Sequence, residues 1–74
     1  MSNLKYYSAN QVENYYQELN AKTLLGAKRE CNSSYDAGSV IELVCVDMDI
    51  EPEHMREYTP LAIRYAYTKK WTEV

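Results

Sequence analysis

Seventy-four residues with 46% hydrophobic and 26% charged side chains have ordinary globular composition and predict one small domain over 1–74. A chain this short buries only about 60% of its unfolded surface. That leaves no room for a Rossmann unit with a substrate domain, a barrel or a two-domain cleft. The net charge of −3 argues against direct binding to nucleic acid or anionic membrane, and no run approaches the ~20 apolar residues of a membrane span.

Taken in chain order, Met1 to Tyr7 lacks the apolar core of a signal peptide, which predicts a soluble cytoplasmic protein. Ser8-Ala9-Asn10-Gln11 fits a capping box, with Tyr7 and Val12 as a hydrophobic staple. Val12, Tyr15, Tyr16, Leu19 and Thr23 then share one helical face, and Leu24 and Leu25 break its phase. The first element is therefore expected to be a helix over about 9–21, with a single longer helix to Cys31 as the alternative. Residues 23–31 read as a strand. Asn32 to Gly38 is rich in turn formers and reads as a loop.

Residues 39–50 are the strongest strand, apolar on both faces from Val40 to Val46 as a central strand should be. Glu51 to Tyr58 reads as a connector. Residues 61–72 alternate as a third strand rich in Ile, Tyr, Thr and Trp, although Thr59-Pro60 could also start a helix. The expected fold is α+β: one N-terminal helix on a three-stranded antiparallel sheet, an α-β-β-β meander. With residues 60–72 helical it becomes α-β-β-α.

A register follows from pairing opposite charges and apolar partners across the meander. It sets Arg29 against Glu42, Lys22 against Asp49, Glu42 against Lys69 and Asp47 against Arg64. The helix should then cover the face with Val44, Val46, Met48, Ile63, Tyr65 and Tyr67. The opposite face, with Leu24, Ile41, Leu43, Cys45, Ala62 and Ala66, is left bare. A bare apolar face is a candidate surface for self-association. Cys31 and Cys45 lie too far apart in this register to bridge, and they form no CxxC motif.

The functional signals are few. Asp47, Asp49, Glu51 and Glu53 alternate, but a calcium loop starting at Asp47 would need Gly where Pro52 stands and Glu where Tyr58 stands. From Asp36 to Glu57 there are seven acidic residues and one arginine. His54 stands alone without a nucleophile motif, and no phosphate-binding or zinc-protease motif is present. No enzyme activity, metal or cofactor is expected. Eight tyrosines and no phenylalanine offer contact area with a polar tip.

The expected function is protein–protein binding by a small acidic protein. It would act as an inhibitor or regulator of the phage or mobile-element kind (anti-CRISPR or anti-restriction), masking a basic, nucleic-acid-binding surface on a host target. Asp47, Asp49, Glu51, Glu53 and Glu57 would supply charge, with Tyr58 and Tyr35 as aromatic anchors. The alternative is a structural or oligomerisation module that self-associates through Leu24, Ile41, Leu43 and Cys45.

Overall fold

The computed structural model describes residues 3–10, 15–68 and 70–74. Five strands and one helix run in the order β1 (Leu4–Asn10), β2 (Tyr16–Glu18), α1 (Leu24–Ser34), β3 (Ile41–Asp47), β4 (Thr59–Arg64) and β5 (Thr72–Glu73), with a short 3-10 turn at Glu53–Met55 before β4. The strands form one antiparallel sheet in the order β2-β1-β3-β4-β5. This overturns the expected α-β-β-β meander and its α-β-β-α variant. The sheet has five strands, and the helix is internal to the chain.

The N-terminal segment is a strand because its side chains alternate. Tyr6 and Ser8 point into the core and are buried, while Lys5, Tyr7 and Ala9 lie on the other face. Tyrosine favours a pleated, half-buried surface. β1 also pairs along its whole length with β3, from Leu4 opposite Asp47 to Asn10 opposite Ile41. That ladder outweighs the short capping motif, and Ser8, expected as a helix cap, is fully buried in a strand. Gln11 and Val12, the rest of that motif and staple, lie outside the described residues. Tyr15 and Tyr16 are exposed, and Leu19 is buried in the core.

The helix forms where a strand was expected. Ala27, Lys28, Arg29 and Glu30 are strong helix formers, and Thr23 caps their N-terminus, its Oγ1 accepting from the Gly26 amide at 3.0 Å. Gly26 is needed at this spot: a Cβ there would lie 3.1 Å from the capping oxygen and 3.4 Å from Ala21 Cβ. Glu30 reaches back to accept from the amides of Asn20 and Ala21 at 3.0–3.1 Å, which ties the chain entering α1 to its second turn. Leu24, Ala27 and Cys31 form the stripe facing the sheet. Two of the three are small, so α1 lies close to the strands.

The core sits between α1 and one face of the sheet, where Tyr6, Leu19, Ala27, Cys31, Ile41, Leu43 and Cys45 are all buried. Leu61 and Trp71 pack against its margin. The register shifts between Leu43 and Val44, which leaves Leu61 as the extra residue of a bulge in β4. The expected register is therefore replaced throughout. Glu42 lies opposite Ile63, Arg64 lies opposite Ile41, and Arg29 and Lys22 are not in the sheet. The pairing of Glu42 with Lys69 falls outside the described residues. Residues 61–72 are neither one strand nor a helix: the chain turns after Arg64 and returns as β5.

Candidate functional site

α1 covers one face of the sheet; among the described residues no helix covers the other, open face, where Val44 and Val46 are nonetheless buried and tyrosines stand half-exposed over them. Within β3 and the paired part of β4 the faces divide as expected, with Val44, Val46 and Ile63 on one side and Ile41, Leu43, Cys45 and Ala62 on the other. The covered side, however, is the second. Tyr67, expected beside Val44, lies with Asn32 and Tyr35 on that α1 side. Ile41, Leu43 and Cys45 are buried beneath α1, and Leu24 is part of the helix that packs on them. These four residues are core and do not form a bare self-association surface.

The open face carries Tyr7 from β1 and Tyr16 from β2, with Val44 and Val46 beneath them on β3. Tyr58, at the end of the connector that follows β3, folds onto this face. Its ring stacks on Tyr16 with centroids 4.0 Å apart and planes 10° from parallel. It meets Tyr7 edge-on at 5.6 Å and 90°. Both geometries suit the ring quadrupole, and such pairs contribute about 0.5–1.5 kcal/mol each beyond their buried area. Tyr16 and Tyr58 remain 40% and 48% exposed, so the stack is a platform and not a second core. A pocket of about 220 Å³ opens beside it, lined by Tyr7, Tyr58, Val46, Met48, Glu53, His54 and Arg56.

The acidic connector is organised around Arg56. Its Nε donates to Ile50 O and its Nη2 to Met48 O, both at 2.9 Å, and Nη2 also pairs with Glu51 at 3.3 Å. Asp47 accepts from the Asp49 amide at 3.0 Å, and Asp49 accepts from the Asn3 amide at 2.9 Å. Three of the five expected acidic contacts, Asp47, Asp49 and Glu51, are thus engaged in building the loop. Glu53 and Glu57 are exposed on either side of Arg56, and no ion pair holds them among the described residues. Lys5 and Glu18 pair at 3.4 Å across β1 and β2 at the edge of the same face. Exposed pairs of this kind contribute about 0–1 kcal/mol.

Of the two expected aromatic anchors, Tyr58 is half-exposed on this face and Tyr35 is not on it. Tyr35 packs on the core under α1, and its hydroxyl bonds Ser8 Oγ at 2.9 Å and Gln17 Oε1 at 3.3 Å. The sequence left Tyr7 free for contact but missed Tyr16, which it placed on the core side of a helix. The alternation of Tyr6 and Ser8 with Lys5, Tyr7 and Ala9 was the signal that could have placed Tyr7 on a strand.

The thiols lie on the covered side. Burial pushes the Cys31 thiol up to about 11 from an ordinary 9.0; a hydrogen bond with Ser8 opposes this, Glu30 adds to it, and Arg64 opposes it weakly. Cys45 is raised as well, by burial and then by Asp47. Both cysteines are free. Neither has the depressed pKa of a nucleophilic thiol. Among the described residues no three His, Cys, Asp or Glu side chains converge as a metal site, and no helix is long and apolar enough to cross a membrane. No family model matches the chain, and no curated protein or solved structure matches it.

Proposed function

We propose that this protein binds a basic, arginine-bearing segment of another protein on the open face of its sheet. In doing so it masks a surface that its partner uses for nucleic acid. The observation that carries the reading is the half-exposed Tyr16–Tyr58 stack, with Glu53 lining the pocket beside it and Glu57 next to Tyr58 in the chain. A guanidinium is attracted to the face of a tyrosine ring within about 6 Å, by roughly 0.5–2 kcal/mol depending on desolvation. Carboxylates beside the ring add charge complementarity that steers encounter. The connector after β3 carries Asp49, Glu51, Glu53 and Glu57 against Arg56 and His54, so it is acidic on balance and favours a cation. The two free thiols support a reducing, cytoplasmic setting for this activity.

The test is a titration of a fluorescent arginine-rich peptide, with the charge-reversed glutamate peptide as control, at two salt concentrations. Binding should be confined to the arginine peptide and should weaken with salt. It should fall about tenfold in Tyr58→Ala or Tyr16→Ala. Equal binding of both peptides, or affinity indifferent to both tyrosines, removes the proposal. Light scattering on the same samples identifies the rival: a dimer that excludes the peptide would make this face a self-association surface.

A further inference from the structure

Another pocket among the described residues lies away from the tyrosine stack, on the side of the sheet that α1 covers. Its volume is about 180 Å³, and its walls are Asn32, Tyr35, Ala37, Arg64, Tyr67 and Thr68. Arg64 lines it from the buried side, with only 2% of its surface exposed. A buried guanidinium is expected to meet a carboxylate, because removing a charge from water is unfavourable unless it is paired. Among the described residues Arg64 meets none within ion-pair distance. Its partners are neutral oxygens: Nη1 donates to Asn32 Oδ1 at 2.9 Å and Nη2 donates to Asp36 O at 2.8 Å. Nε is buried without any partner. An arginine has five N–H donors, so most of this fork is unspent.

Part of the charge is answered by the end of α1. The last turn of a helix carries roughly half a negative charge, and Asn32 belongs to that turn. α1 has no basic residue of its own there. Among the described residues no carboxylate lies within ion-pair distance to answer the rest. Tyr67 adds to the enclosure. Its backbone takes the left-handed conformation, φ 61°, that side-chain-bearing residues seldom adopt, and its amide bonds Ala37 O. This lays its ring over Gly38, where a Cβ would lie 3.3 Å from the tyrosine hydroxyl. Gly38 is bare where the ring must lie. The result is a pocket walled by two tyrosines around a buried, half-neutralised guanidinium.

We propose that this pocket binds a small oxyanion, a phosphate or carboxylate group, on Arg64. The planar fork of arginine suits two-point recognition of either group. The site is independent of the tyrosine stack, and it stands or falls without the proposed partner.

The experiment is an NMR titration of the uniformly 15N-labelled protein at constant ionic strength, with inorganic phosphate in one arm and benzoate in the other. It follows the Arg64 Nε–H signal and the amides of residues 35–38, 67 and 68. Saturable shifts confined to those signals are expected, with the stronger arm naming the anion. Arg64→Lys keeps the charge and loses the fork, and it should weaken binding about tenfold. The wild-type Arg64 signal decides the matter even where that variant does not fold. Absence of movement at roughly 50 mM of either anion, far above any Kd that would stabilise the fold, overturns the proposal. So do unsaturable shifts spread over surface lysines. Either outcome leaves Arg64 as a peg for the end of α1.

Discussion

At the scale of single residues, the polar groups under α1 form a small connected set. Ser8 is fully buried, and its hydroxyl meets the Tyr35 hydroxyl at 2.9 Å. Tyr35→Phe leaves the ring in place and deprives Ser8 of that partner. The expected cost is about 1 kcal/mol, since Ser8 keeps its hydrogen bond with Cys31. Urea denaturation should show a lower midpoint with an unchanged slope. The Cys31 thiol makes a pH prediction. Below its ordinary 9.0 the thiol is protonated in both the folded and the unfolded chain. Between 9.0 and about 11 only the unfolded chain releases the proton, so stability falls as pH rises through that window. The loss should be about 2 kcal/mol at about pH 10.5 and at most about 2.7 kcal/mol. Unfolding free energies of wild type and Cys31→Ala, measured at about pH 8 and about pH 10.5, isolate it. The wild type should lose more than the variant; parallel profiles would mean that burial does not hold this thiol neutral.

At the scale of elements, the helix and the acidic connector each depend on one side chain. Thr23→Ala removes the cap of α1 and should cost about 1 kcal/mol by denaturation. Arg56→Gln removes the donors that hold Met48 O and Ile50 O, and the ion pair to Glu51. Amide exchange across residues 48–57 should then quicken while β1 and β3 keep their protection. Uniform loosening of all three would refute a local role for Arg56. These elements also show what could be read in the chain beforehand. β3 was legible because residues 40–46 are apolar except for Glu42 and rich in β-branched side chains, as suits a central strand. The division of β3 residues between the two sheet faces was legible from simple alternation, but the bulge at Leu61 and the turn at Tyr67 were not. The helix was not, because its buried stripe is Leu24, Ala27 and Cys31, two of them small, with Leu25 exposed beside them. Its cap, Thr23, has Gly26 where a capping box has Glu or Gln. The better-looking box at Ser8 yielded to a seven-residue ladder with β3 that no local pattern reveals. The acidic connector was visible as charge. Which carboxylates bind backbone amides, and which face outward, depends on Asn3 and Arg56, whose positions the local pattern does not show.

At the scale of the whole molecule, the sheet separates stability from recognition. Its covered face holds Ile41 and Leu43 with no exposure at all, and its open face holds tyrosines stacked on one another in water. The same substitution, large side chain to alanine, should therefore have opposite consequences on the two faces. Leu43→Ala leaves a cavity beneath α1 and should cost about 2–5 kcal/mol, a large share of the stability of a domain this small. Its folded fraction should still bind the arginine peptide as the wild type does, because no atom of the open face is removed. Tyr58→Ala deletes a half-exposed ring whose stacking contributes about 0.5–1.5 kcal/mol per pair. It should shift the denaturation midpoint less than Leu43→Ala and yet reduce binding about tenfold. Denaturation and peptide binding measured on both variants place each on a plane of stability against affinity. The two should fall on different axes. If Tyr58→Ala loses affinity only in proportion to its loss of folded protein, the stack is a structural cover for Val44 and Val46. The open face would then have no recognition role of its own.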